Sequence, residues 1–345
     1  RQMCIRDRAY AAEVWKGLVE LGVTAATIPE AYGGAGMGPL ELCVVAEELG
    51  RACAAVPFAS SVYLATEALK LFGSEAQKKA WLPKLASGEA IGTIATGEGP
   101  QAPTPRNVRT SFGGGKVNGE KLPVADGTAA TFAIVLVNTG GTGDRALSMA
   151  IVDLTGAGVT REVVKTVDPA RKHARIAFSG AAGELLGVEG AGWSQLEKLY
   201  DVAAVPMAFE QIGGAEAAMW MARDYALQRQ AFGRQIGSYQ AIKHKIADMY
   251  VKLELARSNA YYGAMMLADG GADLPIAAAA ARIAATEAYD FAAKENIQTH
   301  GGIGFTWEAD TQFHYRRSRL LSLAIGGPLA WKDKLVTRLE RKNAA

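Results

Sequence analysis

Residues that bind metals or cross-link a chain are scarce here. The 345 residues include three cysteines, Cys4, Cys43 and Cys53, and four histidines, His173, His244, His300 and His314. No two cysteines have C-x-x-C spacing and no histidines have metal-ligand spacing, which sets aside a zinc site and a disulfide framework. An odd number of scattered thiols fits a reducing compartment, so the expected location is the cytoplasm. Charge bias is also missing. A formal net charge of +2 with no long basic tract gives no footprint for nucleic acid. No apolar run approaches the roughly 20 residues of a membrane span, and no signal-peptide pattern is evident. What is present, 49% apolar and 21% charged residues, is the composition of a globular protein long enough for two or three domains.

The opening octapeptide, RQMCIRDR, lacks an initiating methionine and resembles a translated sequencing adapter. Residues 1–8, with Cys4, are therefore given no functional role, and the first helix is expected to be incomplete. Residues 9–90 read as helical: 9–21 ending at Gly22, 40–50, 64–72, and 75–85 after a cap at Ser74. The glycines of Pro29-Glu-Ala-Tyr-Gly33-Gly34-Ala-Gly36 mark a loop, and with no preceding strand they do not form a dinucleotide fingerprint. Residues 91–190 change character. Short β-branched runs at 91–96, 116–118, 132–137, 148–152 and 174–178 lie between glycine-rich turns and predict a small β domain. From 191 the chain returns to helix. Val202, Val205, Phe209, Ile212 and Met219 give an apolar series, and Pro206, best placed in a first turn, predicts a helix start just before it. The alanine-rich run 276–293 suits close helix packing.

One stretch organises the rest. Tyr239, Ile242, Ile246, Met249, Leu253 and Ala256 recur at helical spacing, and before them Arg229-Gln-Ala-Phe232-Gly233-Arg234 breaks two helical patterns. Two arginines flanking an aromatic residue either make a solvated corner or hold a phosphate beside a flat ring. RQAFGRQIGSYQAIKHKIADM resembles the R-x-x-F-G-x-x-I-x-x-x-Q…A-D-M signature of acyl-CoA dehydrogenases. PEAYGGAG, EELGRACAAVP, GSEAQKKAWLPKLASGE and QTHGGIGFTWE are similar to further family segments, in order along nearly the whole chain. The resemblance implies an α+β architecture: a helical N-terminal domain over 1–90, a central β-barrel or sandwich over 91–190, and a C-terminal four-helix bundle over 191–345.

The resemblance also implies chemistry: FAD-dependent conversion of an acyl-CoA thioester to a 2-enoyl-CoA. A carboxylate takes the α proton while the flavin takes the β hydrogen as hydride. Carried over residue by residue, the cofactor contacts are Arg229 on the pyrophosphate, Phe232 and Gln240 near it, and Gln298, Gly301 and Gly302 on the adenosine side, together with Thr96. In related oligomers the two C-terminal groups can serve different copies of FAD. Three departures stand out. The T-E-P-G-A-G-S-D loop is reduced to Thr96-Gly97-Glu98-Gly99-Pro100. Pro123 replaces the tryptophan expected after Gly119-Glu-Lys-Leu. The catalytic glutamate is absent from both positions the family uses, where Ile325 and Ala203 stand, with Ala204 in place of the usual arginine neighbour. Asp201 is the nearest replacement base, or else a helix N-cap; Glu210 and Glu308 read as structural. GGIGFTWE is similar to a subgroup associated with bulky, alicyclic or steroid-derived acyl-CoA, some of whose members work as unlike pairs. Expected partners are therefore acyl-CoA, an electron-transfer flavoprotein or similar acceptor, and a second subunit, like or unlike. A non-catalytic partner subunit and a flavin-dependent monooxygenase remain open alternatives.

Overall fold

Ser74 accepts a hydrogen bond from the Gln77 amide at 3.2 Å, and the Gln77 side chain accepts one from the Ser74 amide at 3.0 Å. This reciprocal cap starts a helix at the predicted place and is worth about 1 kcal/mol. In the computed structural model, which describes residues 9–344, the early helices are α1 (Ala12–Glu20), α2 (Pro39–Arg51), α3 (Glu67–Phe72) and α4 (Glu75–Ala86). The expectations placed on residues 1–8 and Cys4 lie outside the described residues. The helix predicted from residue 64 starts earlier, as a wider-wound π-helical turn over Ala59–Thr66 that runs into α3. Its serines explain the departure from regular winding. Ser60 donates to Asp126 at 2.6 Å and Ser61 accepts from the Gly92 amide at 3.2 Å, so the turn is shaped by bonds to the β region.

Strands β1 (Gly92–Ala95), β2 (Ser111–Gly113), β3 (Lys116–Ala125), β4 (Phe132–Asn138), β5 (Leu147–Asp153), β6 (Val159–Val164) and β7 (His173–Leu186) form one seven-stranded sheet. The order β4-β2-β3-β7-β5 returns to β4 through seven antiparallel pairs from Phe132↔Asp153 to Asn138↔Leu147. The sheet therefore closes into a barrel; β1 pairs beside β4 and β6 beside β7. Closure leaves the ring strands without free edges. Val117, Val124, Val135, Ala150, Val152, Ile176 and Phe178 share the buried core. β4 is buried from Phe132 to Val137, and Phe132, outside that core cluster, has its ring centroid 4.2 Å from that of Trp81 of α4. The strands are longer and more numerous than the apolar runs predict: β3 and β7 extend well past their apolar cores, and β2 and the polar β6 carry no apolar signal.

The remaining helices are α5 (Gly192–Gln228), α6 (Gln240–Ala268), α7 (Leu274–His300), α8 (Thr311–Leu323) and α9 (Pro328–Ala344). α5 corrects the reading of Pro206. The helix starts at Gly192 and passes through the proline, which interrupts one backbone bond, to the carbonyl of Val202. Residues 203–215 are all buried, so this part of α5 is apolar on every side and shows no stripe from which its extent could be read.

By compactness the described residues form two units that interleave in sequence. One contains residues 9–38 and 55–203; the other contains Pro39–Ala54 and 204 onward. Helices, strands and helices follow one another in the expected order, but α2 groups with the C-terminal helices. Glycines account for that. A Cβ on Gly213 of α5 would collide with the Glu47 carbonyl of α2, and one on Gly50 of α2 with the Glu210 carbonyl of α5. The two backbones cross in contact. Arg257 of α6 then ties both, to Glu47 at 2.6 Å and to Glu216 at 3.3 Å.

Candidate active site

Beyond α5, Gln230–Ala231 and Arg234–Gln235 pair as a two-residue hairpin whose turn is Phe232-Gly233. Both turn residues have positive φ, 53° at Phe232 and 80° at Gly233, as a tight hairpin with the right-handed strand twist requires. For a phenylalanine this left-handed conformation is unfavourable by about 1 kcal/mol or more. Its ring nevertheless packs on nothing among the described residues, being 97% exposed. The turn itself is braced. Ile236 N–H donates to the Arg229 carbonyl at 2.9 Å, the Tyr239 hydroxyl to the Ala231 carbonyl at 3.1 Å, and the Arg234 guanidinium lies 4.0 Å over the Tyr239 ring. Arg229 and Gln240 flank it, both exposed.

At the far end of α7, Gly301 takes φ 63° and ends the helix, followed by one 3-10 turn over Gly301–Phe305. Among the described residues, no atom lies within 4 Å of where a Cβ would stand on Gly301 or Gly302. The loop reading is thus refined: α7 runs through Gln298 to His300 before the glycines break it. Tyr225 and His300 stack with ring centroids 4.1 Å apart, and His300 Nδ1 lies 2.9 Å from the Asn296 carbonyl. Arg229 is one turn beyond Tyr225 and Gly301 follows His300. The stack therefore brings the signature segment and the glycine loop to the same end of the helical unit. An exposed guanidinium, an unpacked aromatic ring and a glycine surface without obstruction are what the phosphate and adenosine parts of a dinucleotide need, so these residues fit FAD.

Thr96 lies in the other unit, just beyond β1. Its hydroxyl is 3.2 Å from the Tyr200 hydroxyl and its carbonyl accepts from Lys121 Nζ at 3.2 Å. The segment that follows encloses a cavity of about 340 Å³ lined by Thr96, Glu98, Pro100, Asn107 and Arg109 among others.

The base positions offer no carboxylate. Ala203 is fully buried in α5, and Ile325, 5% exposed, follows α8. Asp201 is not an N-cap: it sits in the third turn of α5, 6% exposed. Residues two apart on a helix point to nearly opposite sides, so Asp201 does not share a face with Ala203. Glu210 lies 3.8 Å from Arg317 Nη1 in a buried polar cluster of the helical unit. There Arg282 donates to the Gln211 side chain and to the Leu321 carbonyl, and lies 3.3 Å from the Thr286 hydroxyl. Burial lowers the Arg282 guanidinium to about 10, partly offset by Glu210. Glu308 is exposed, its amide donating to the Thr306 hydroxyl at 3.3 Å.

Residues 2–89 match the model of the acyl-CoA dehydrogenase N-terminal domain and residues 190–328 that of the C-terminal domain. The acyl-CoA dehydrogenase IpdE2 of Mycobacterium tuberculosis is 35% identical over 314 residues, 90% of this chain and 82% of the relative. The chain belongs to the acyl-CoA dehydrogenase family. Solved structures agree. Butyryl-CoA dehydrogenase of Megasphaera elsdenii superposes with a TM-score of 0.89 at 26% identity, covering 96% of this chain and 90% of that one. A Tcur3481-Tcur3483 steroid ACAD superposes with a TM-score of 0.90 at 25% identity, covering 100% and 93%. This acyl-CoA dehydrogenase is accordingly an oxidoreductase acting on acyl-CoA, in a family of FAD-dependent flavoproteins. No helix among its described residues is long and apolar enough to cross a membrane.

Sequence reasoning missed Lys121, Glu98 and the Tyr225–His300 stack. Lys121 stands at a buried position of β3, beyond the run 116–118 from which the strand is predicted. The other contacts join residues distant in sequence and left no local trace.

Proposed function

We propose that this acyl-CoA dehydrogenase takes part in the α,β-dehydrogenation of a bulky or alicyclic acyl-CoA, steroid-derived thioesters included, as one subunit of a hetero-oligomer. The observation that carries this is a retained cofactor surface beside missing base positions. Arg229, Phe232, Gln298, Gly301 and Gly302 are presented outward, whereas Ala203 and Ile325 are buried and cannot accept a proton. An unlike partner then contributes the carboxylate that removes the α proton. FAD, when bound, supplies the acceptor for the β hydrogen.

In this reading Arg229 pairs with the pyrophosphate and Phe232 covers an edge of the cofactor. Gln298 and the glycine backbone receive the adenosine side, with Gln240 nearby and Thr96 contacting the flavin from the β region. Because the exposed Phe232 packs on nothing among the described residues, it suits a cofactor held mainly by a neighbouring subunit. The steroid-class substrate is suggested by the similarity to the Tcur3481-Tcur3483 steroid ACAD, and the joint designation supports the unlike-subunit reading. An electron-transfer flavoprotein or similar acceptor would reoxidise the cofactor. A cytoplasmic setting is consistent with Cys43 and Cys53 as free thiols.

The test is the visible spectrum of the chain purified alone and after co-expression with a neighbouring homologue, before and after anaerobic addition of acyl-CoA. The expected result is flavin that bleaches with a thioester only in the co-expressed complex, unchanged by Asp201→Asn. Bleaching by the chain alone, abolished by Asp201→Asn, would overturn the shared-site reading in favour of self-sufficiency. Flavin that consumes oxygen when reduced but never bleaches with thioesters would favour a monooxygenase. A complex active without any flavin bound by Arg229 and its neighbours would leave this chain a structural subunit.

A further inference from the structure

The segment after Thr96 has no helix or strand of its own until β2, yet both its ends are held by one carboxylate. Glu98 accepts from the Arg109 amide at 2.8 Å and the Thr110 amide at 2.9 Å, and from Lys121 Nζ at 2.7 Å. Lys121 in turn reaches back to the Thr96 carbonyl at 3.2 Å, and its side chain is 0% exposed. Backbone bonds lay the same segment along β3: Leu122 N–H to the Gly97 carbonyl at 2.8 Å and Gly99 N–H to the Leu122 carbonyl at 2.9 Å. We propose that Lys121 and Glu98 are a positioning pair that fixes Thr96, and the cavity wall behind it, for contact with the flavin. This inference rests on the reading of Thr96 as a cofactor contact.

The pair is poorly explained as a support for the barrel alone. An apolar side chain at position 121 would fill the buried site without taking an ammonium out of water, and replacement of a buried ion pair by apolar residues is often neutral or stabilising. Burial lowers the Lys121 ammonium to about 8, with Glu98 opposing the change, so the charged form is held against a desolvation cost. The Thr96 hydroxyl, with Tyr200 as its neighbour at 3.2 Å, can be aimed only if the backbone beneath it is fixed, and Lys121 is the side chain that grips that carbonyl.

The experiment compares wild type, Lys121→Met, Glu98→Gln, Thr96→Val and the Lys121→Met/Thr96→Val double variant. Each is co-expressed with the neighbouring homologue; FAD is titrated into the apo complex by fluorescence quenching, the flavin band positions are recorded, and thermal unfolding is followed without FAD. The expected result for Lys121→Met is a melting temperature equal to or above wild type, a shifted flavin band and FAD affinity weakened about tenfold. Adding Lys121→Met to Thr96→Val should cost little further affinity, because the lysine acts through the threonine. Wild-type affinity and band position in Lys121→Met would overturn the proposal, as would full additivity with Thr96→Val or an affinity loss that merely follows a lower melting temperature. If Lys121→Met does not fold, Glu98→Gln decides the matter by the same readouts. A wild-type co-expressed complex that takes no FAD would instead refute the underlying cofactor reading, a result separate from wild-type binding with an indifferent pair.

Discussion

His314 should make the helical unit acid-sensitive, and replacing it with glutamine should remove that sensitivity. The imidazole is buried on α8, with Nδ1 3.1 Å from the Tyr289 hydroxyl of α7 and the two rings edge to face at 6.1 Å. Burial, with a smaller contribution from the nearby Arg317 charge, lowers its pKa from 6.5 to about 4. The native state thus keeps His314 neutral after the unfolded chain has begun to take up the proton. Its contribution is intact above pH 6.5 and is lost as pH falls from 6.5 towards 4. At about 1.4 kcal/mol per pH unit, that interval amounts to about 3 kcal/mol. Urea unfolding of wild type and His314→Gln followed by circular dichroism between pH 7 and pH 4 measures it. A glutamine amide can still bond the Tyr289 hydroxyl but cannot charge. The variant should be modestly less stable than wild type at pH 7, by about 1 kcal/mol from imperfect packing, and more stable near pH 4. Stability curves that run parallel over this range would refute the reasoning.

Two other perturbations test the packing and the cofactor surface. Gly213→Ala should destabilise by about 2 kcal/mol or more, since its methyl would meet the Glu47 carbonyl where α2 and α5 cross; an unchanged urea midpoint would mean that the crossing relaxes freely. Phe232→Ala should leave stability within about 0.5 kcal/mol of wild type or raise it, because the ring is exposed and its backbone conformation unfavourable, while weakening FAD binding about tenfold. Equal FAD affinity in the two proteins would remove Phe232 from the cofactor surface.

The candidate site was legible in the sequence where the chemistry is local. The break at Phe232-Gly233, the glycines after His300 and the loss of a carboxylate at Ile325 are properties of short segments, and the family signature lies in those same segments. Asp201 was legible only as one of two possibilities, because N-cap and helix-interior positions differ in where the helix begins, and Gly192 rather than Pro206 begins it. Lys121 and Glu98 were not legible as a pair at all. Their meeting depends on the register that lays residues 97–99 along β3.

What the sequence determined by itself were the elements whose ends carry their own chemistry: the cap at Ser74, the break at Phe232-Gly233, the glycines after His300, and a β region between two helical ones. What only the tertiary structure decided was which of these elements share a core. α2 joins the C-terminal helices because Gly50 and Gly213 let two backbones touch, and β5 returns to β4 to close the barrel through pairings that no single strand encodes. The physical reason is the range of the interactions. Caps and turns satisfy backbone groups within a few residues, whereas a buried helix face, a closed sheet or a buried charge is satisfied by partners that the chain brings together only after it folds.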